Sequence, residues 1–407
     1  MDVEVQVNNS PSPAARFVTW APSPCRVRVT NPTGATTPTV SLQLKGASAA
    51  SGGAVLFRSG STGPFATSLT LQVPINGTSV PFFVAGKFGQ PSASDGDVKI
   101  EVRRATTLVG SVPVMVRIRK NANKLTSAER DRLVSAFARL NNQGAGRFTD
   151  FRDMHTSVSS PQAHGAPGFL PWHRAYLLDL ERELQAIDPS VALPYWRFDQ
   201  AAPNLFTRDF FGVSNQLGTV QFSPSNPLQF WRTDGVQGIS RRPFFSTSAA
   251  PPGLRSEAQT IALGTLYSAF RALEGNPHGT AHTSFGGFIS SIPTAARDPL
   301  FFLLHCNVDR LWAKWQRQLG RFDPAQAASY HGSGSNPVGH NLPETMWPWN
   351  GITGGSRPPT APGGAMAASV AAVAPGPRPR VRDSLDYQGA VSAAGRLGFD
   401  YDDVPFT

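Results

Sequence analysis

The sequence predicts a mixed architecture: an all-β, immunoglobulin-like sandwich over residues 1–118, then a mainly α, four-helix-bundle domain with long loops. Three observations lead there. Up to Ile118, apolar and polar residues alternate with a period of two, which buries one face of a strand and wets the other. Beyond Asn121 the apolar period becomes that of a helix. The length, 407 residues, exceeds one average domain.

The strands follow in order. Cys25, Val27 and Val29 alternate with Arg26, Arg28 and Thr30, and Val40, Leu42 and Leu44 with Ser41 and Gln43. Leu69, Leu71 and Val73 repeat the pattern, as do Val98, Ile100 and Val102 against Lys99, Glu101 and Arg103. Val112, Val114, Val116 and Ile118 close the run. Asn76-Gly77 reads as a hairpin turn, because both residues tolerate positive φ. Many short strands of this kind favour a sandwich. No catalytic constellation occurs in this part.

The helices come next. Thr126 and Glu129 form a capping box ahead of Leu133, Phe137 and Leu140 at helical spacing. Further helices are expected over 171–187, 256–274 and 298–319, in a helical domain spanning 119–350. Facing helices of a bundle are a recurrent place for a metal site. Residues 351–379, rich in Gly, Pro and Ala, read as an irregular wrap or linker, and 380–407 as a tail that closes the helical domain.

Composition narrows the function. Forty per cent hydrophobic and 16% charged residues are ordinary for a soluble globular chain. Much of the net charge of +10 sits in residues 1–120, where twelve Lys and Arg face five Asp and Glu. These cations are scattered through strand-like segments, so they read as solvated strand faces. Neither a nucleic-acid nor a membrane partner is expected. The opening Met1-Asp2-Val3-Glu4-Val5 has neither the basic nor the apolar region of a signal peptide, and no stretch is long enough to span a membrane. The expectation is a cytoplasmic protein, or one exported without a recognisable signal. Cys25 and Cys306 lie far apart and outside any CxxC pair, and are expected to be free thiols.

The histidines carry the chemistry. Of eight, His155, His164 and His173 form one group and His278, His282 and His305 a second; His331 and His340 read as ordinary loop residues. His173 shares a helix face with Tyr176, Leu177, Leu180 and Leu184, which turns it inward. His278 and His282, at i and i+4, share a face if their segment is helical, and Asp309 follows His305 by one turn. One inward histidine is more often a satisfied core residue than a ligand. Six of them, split three and three beside helices of one bundle, are hard to explain as packing, because each buried imidazole needs partners for both ring nitrogens. All-imidazole sites suit Cu, Zn, Fe or Ni. A mononuclear zinc site needs half of these residues, whereas two facing triads suit a dinuclear copper centre that binds O₂.

Two longer segments carry a family resemblance. His164-Gly-Ala-Pro-Gly-Phe-Leu-Pro-Trp-His173-Arg174, with Pro194-Tyr195-Trp196-Arg197-Phe198-Asp199, resembles the first copper motif of tyrosinases. Pro277-His278-Gly-Thr-Ala-His282, with Asp298-Pro299-Leu300-Phe301-Phe302-Leu303-Leu304-His305-Cys306-Asn307-Val308-Asp309, resembles the second. The resemblance covers roughly residues 119–350, and Phe399-Asp400-Tyr401 looks like the aromatic motif that closes that fold.

The resemblance implies two copper ions, one on His155, His164 and His173 and the other on His278, His282 and His305. It implies oxidation of small phenols and o-diphenols by O₂ to o-quinones, with a copper-delivery protein as a further partner. Phe301 is implied to pack beside the second copper and Asp309 to anchor the site from behind, paired with Arg119 or Arg310. Glu274 is implied to orient a water near incoming phenol. The sequence departs from the pattern in four places: Leu304 precedes His305 where many members have a second His, Gln162 stands where some have Cys, the His155–His164 spacing is short, and Gly279 follows His278 where efficient hydroxylators often have Asn. Gly279 favours catechol oxidation over monophenol hydroxylation. Two other readings share the same centre: an o-aminophenol oxidase and a haemocyanin-like oxygen carrier.

Overall fold

The computed structural model describes residues 1–333, 339–355 and 357–406. They form two compact units. One comprises Met1–Ile118, Ser369–Ala374 and Gln388–Thr407, the other Arg119–Ala368 and Pro375–Tyr387.

The first unit is β-rich. Its strands are β1 (Asp2–Val7), β2 (Phe17–Val18), β3 (Ser23–Asn31), β4 (Thr39–Ser48), β5 (Val55–Arg58), β6 (Ser68–Pro74), β7 (Val80–Gly86), β8 (Val98–Arg104) and β9 (Thr107–Val116). They build two sheets, in the orders β1-β3-β7-β5 and β2-β9-β8-β4-β6. The inward residues of both, among them Val27, Phe82 and Val84 from one and Leu42, Leu44, Ile100 and Val114 from the other, share a single apolar core. The period-two pattern is the cause: in β4, Val40, Leu42 and Leu44 are buried while Thr39, Ser41 and Gln43 are exposed.

Asn76-Gly77 does not close a hairpin. Gly77 does adopt positive φ (86°), but β6 pairs with β4, matching Leu42 to Leu71, whereas β7 pairs with β3 and β5. The turn carries the chain from one sheet to the other, because Leu71 and Val73 find their partners on β4.

The expected C-terminal tail divides. Residues 388 onward group with the β-rich unit and not with the helical one. The Trp20 indole donates to the Tyr401 carbonyl (2.8 Å), the Ala21 N–H to the Asp400 carboxylate (3.1 Å), and Arg396 to the Ser23 hydroxyl (2.7 Å). These bonds satisfy buried polar groups that the apolar core cannot. The Gly/Pro/Ala stretch is likewise no single linker. Within the helical unit the Ala367 N–H donates to Asp179 (2.8 Å) and the Trp347 indole to the Thr360 carbonyl (2.9 Å), while Ser369–Ala374 belong to the β-rich unit.

The helical unit contains α1 (Ser127–Asn141), α2 (Phe148–Met154), α3 (Ser160–Ala163), α4 (Phe169–Ile187), α5 (Glu257–Ile261), α6 (Tyr267–Phe270), α7 (Thr280–Thr283) and α8 (Leu300–Leu319). Helix α1 begins at the Thr126–Glu129 capping box and α8 ends on Gly320 at φ 63°. The expected helix over 256–274 is broken. Gly264 sits at φ 153°, which a side chain rarely adopts, and splits the stretch into α5, α6 and 3₁₀ turns. Among the described residues, three long helices (α1, α4 and α8) and five short ones therefore replace four long ones. Helices α4 and α8 pack against each other and are buried on nearly every side, so they are the frame of the unit.

Candidate metal centre

Each histidine is placed by a different local device. His155 ends α2, His164 follows α3, and His173 lies in the second turn of α4. His278 occupies an irregular turn just before α7, His282 lies in α7, and His305 is on α8. The i, i+4 pair is thus not on one regular helix, yet the two rings are 4.7 Å apart. Ligand nitrogens of His155, His164 and His173 lie within 4.8 Å of one another, as do those of His278, His282 and His305. The triads face each other: the His173 and His305 rings stack at 4.2 Å, tilted by only 9°.

Hydrogen bonds fix which nitrogen faces the cavity. The Nδ1–H of His173 donates to the Phe169 carbonyl (2.9 Å), that of His278 to the Glu274 carbonyl (2.7 Å), and that of His282 to the Ile289 carbonyl (2.6 Å). Their Nε2 atoms are then bare acceptors. Those of His173 and His278 are buried without any partner, and that of His282 stands 3.1 Å from His305 Nε2. His155 Nε2 and His164 Nε2 meet in the same way at 3.3 Å. Burial is the chief cause that lowers the pKa of all six imidazoles, to about 4 for His164 and His282. The rings are therefore neutral, as metal ligands must be. The bare Nε2 acceptors of His173 and His278 are costly to bury without a donor, and a metal ion satisfies them. With neither thiolate nor carboxylate in the set, the donors fit copper.

The surrounding residues hold this arrangement. The Phe301 ring is 4.2 Å from His305 and 4.6 Å from His155, so it touches both triads and not the second alone. Asp309, one turn beyond His305, accepts from Arg174 Nε (2.5 Å) and Arg119 (3.3 Å). Arg119 also pairs with Glu181 (2.7 Å). Arg310, the other partner expected for Asp309, binds Glu257 (2.6 Å) and Asn307 (3.0 Å), which links α8 to α5. The network ties α4 to α8 behind the histidines. Asp298 anchors the start of α8, gripping Arg241 with both oxygens (2.7 Å each) and capping the Leu300 N–H.

A cavity of about 260 Å³ opens onto His155, His164, Glu274, His278, Gly279 and Ile292. Glu274 Oε1 accepts from the Gly165 N–H (2.6 Å), and burial raises its carboxyl pKa. Gly279 leaves open space: a Cβ there would meet only the Glu274 carbonyl, at 3.4 Å. The loop 289–295, which supplies one wall and the carbonyl that orients His282, was invisible in the sequence because a backbone acceptor has no residue signature. His340 is a loop residue, as expected, and is buried: its Nδ1 accepts from the Gly168 N–H (3.2 Å) and its Nε2–H donates to the Pro161 carbonyl (3.0 Å). Both nitrogens are used, so it is structural. His331 is exposed.

Comparison with known proteins agrees with this geometry. The family model "Common central domain of tyrosinase" matches residues 145–318. A tyrosinase of Streptomyces antibioticus is 32% identical over 268 residues, covering 58% of this chain and 94% of that protein. A grixazone synthase of Streptomyces griseus subsp. griseus is 30% identical over 263 residues, covering 50% and 85%. Among solved structures, a functional unit of octopus hemocyanin is similar with a TM-score of 0.47 and 23% identity, covering 72% of this chain and 69% of its own. The likeness to the Streptomyces tyrosinase spans nearly all of that protein, and the family-model match spans both histidine groups, so this chain belongs to the tyrosinase family and is a dicopper oxidase.

Proposed function

We propose that the protein oxidises o-diphenols, and more slowly monophenols, to o-quinones with O₂. His155, His164 and His173 hold one copper ion, and His278, His282 and His305 the other. The observation that carries this reading is the face-to-face approach of the triads, with His173 stacked on His305 at 4.2 Å. Bound copper supplies O₂ binding, electron acceptance and Lewis-acid stabilisation of a phenolate.

The chain's own residues do the rest. Carbonyls of Phe169, Glu274 and Ile289 hold three imidazoles in the tautomer that presents Nε2 inward. Gly279 leaves room beside His278 for an aromatic ring. Glu274 spends one oxygen on the Gly165 N–H, and its second receives the proton of an incoming phenol or orients a water that does. A carboxylate whose pKa burial has raised is the stronger base for that step. Two catechols give up four electrons and four protons to one O₂, leaving two o-quinones and two waters. The open cavity favours an enzyme over an oxygen carrier, since a ring reaches the histidines directly. The β-rich unit is read as immunoglobulin-like on its shared core and on β2 running parallel to the last strand, β9.

Copper loading followed by turnover with catechol, tyrosine and o-aminophenol tests the assignment. The expected result is two copper ions per chain and fastest O₂ uptake with catechol. Reversible O₂ binding without turnover would favour the carrier. Dominant o-aminophenol turnover would move the substrate class to aminophenols.

A further inference from the structure

Within the β-rich unit a cavity of about 520 Å³ opens, and no histidine lines it. Its size falls inside the range of small-molecule pockets, roughly 300–1,000 Å³. Two residues of its lining, Arg58 and Gln388, each carry a buried polar atom without a partner.

The first belongs to Arg58, at the end of β5. Its guanidinium stacks on the Phe65 ring at 4.6 Å and lies 5.5 Å from the Phe83 ring. One Nη donates to the Gly63 carbonyl, at 3.3 Å, while Nε is buried without a partner. Among the described residues no carboxylate pairs with it. Two rings thus hold a partly desolvated cation in place without an anion.

The second belongs to Gln388, which is 1% exposed. Its Nε2 donates to Asp400 (2.7 Å), which fixes the amide orientation and leaves Oε1 buried with no donor. A buried acceptor left unpaired is costly, so a donor at this point is rewarded. Arg396 adds a second cation to the lining, held by Ser23, Asn8 and the Ala371 carbonyl. Phe83, Val370 and Val391 supply apolar wall, and both valines are more than half exposed.

We propose that this cavity binds an aromatic monocarboxylate with a ring hydroxyl, the class of small phenolic acids. The carboxylate pairs with Arg58, the ring lies against Phe83 and the valines, and the hydroxyl donates to Gln388 Oε1. The site is separate in residues from the metal centre and does not depend on the copper reading.

The test is calorimetric titration of the copper-loaded full chain under anaerobic conditions, where no oxidation occurs. The probes are 4-hydroxyphenylacetate, phenylacetate and 4-hydroxyphenylethanol. Arg58→Gln should weaken 4-hydroxyphenylacetate binding by about tenfold or more, the worth of a lost charge-assisted pair, and leave 4-hydroxyphenylethanol unchanged. Phenylacetate should bind several-fold more weakly than its hydroxylated counterpart. Hydrogen exchange on the unmutated chain gives an independent reading: ligand should protect amides of β5 and β7. Identical isotherms for the parent chain and Arg58→Gln, or protection confined to the histidine-bearing segments, overturn the proposal.

Discussion

The apolar core between the sheets of one unit contrasts with the charged, histidine-rich interior of the other. Between the sheets of the β-rich unit the core is valine, leucine, isoleucine and phenylalanine, with Trp20 and the Cys25 thiol. The helical unit buries Arg119, Arg174, Arg241, Arg310, Asp179, Asp298, Asp309, Glu181 and four of the six clustered histidines among its aromatics. The first kind of core is stabilised by transfer of apolar surface from water and tolerates exchange among similar hydrophobes. The second is held by paired charges whose removal strands a partner in low dielectric. The expensive polar network lies where ligand nitrogens must be held within fractions of an ångström, which is the condition for a preorganised site.

The largest contrast is chemical. His282→Ala should abolish catechol oxidation and lower bound copper toward one ion per chain, while hydrogen exchange in β3, β4 and β8 stays unchanged. Full copper content with full activity would sink the ligand assignment. Next comes the network. Asp309→Ala leaves Arg174 and Arg119 without their shared carboxylate and should cost the helical unit about 3–5 kcal/mol. Denaturant unfolding followed by hydrogen exchange in α4 and α8 measures it. A loss below about 1 kcal/mol would mean that the network is not what holds those helices together.

The same contrast explains what the sequence made legible. Period-two strands and the Thr126–Glu129 cap report a local preference, and the structure places strands and a helix start there. Histidine spacing beside apolar helix faces brought the two triads into view for the same reason. Pairing across long separations left no such trace. Nothing near Asn76-Gly77 states that β6 will choose β4 over β7, and nothing near Asp309 states that Arg174, 135 residues earlier, will reach it. The break at Gly264 was masked because helical periodicity resumes on either side of it. Strands β1, β2, β5 and β7 left no clear trace in the sequence: four of the six residues of β1 are only partly buried, so its alternation is weak, and β2 is two residues long.

A smaller effect, confined to the other unit, is expected from Leu42→Ala. Leu42 is fully buried between the sheets, so its truncation should cost about 2–5 kcal/mol through lost transfer energy and the cavity left behind. Catechol turnover by the folded fraction should not change. A fall in kcat at a temperature where the strands remain protected would show that this core reaches the chemistry.

The pH dependence should divide the units by sign. Asp400, in the β-rich unit, is fully buried, and burial pushes its carboxyl up to about 6 although Ala21 and Gln388 donate to it. Arg396 is the charged group facing it, and Cys25 nearby stays a neutral thiol, its pKa raised to about 12. In the unfolded chain such a carboxyl ionises near pH 4. Between about pH 4 and 6 the unfolded state therefore binds fewer protons than the folded one, and stability falls as pH rises; the loss is complete above about pH 6 and amounts to about 2–3 kcal/mol. The buried imidazoles of the copper-free helical unit are shifted the other way, so the unfolded state binds the extra protons and stability rises with pH over the same interval. Hydrogen exchange in β3 and in α4, corrected for the intrinsic rate at each pH, separates the two slopes. Asp400→Asn, which has no proton to lose, should flatten the first slope and leave the second. Parallel slopes in both units would mean that Asp400 stays ionised through the range, held so by the donors of Ala21 and Gln388 against the cost of its burial.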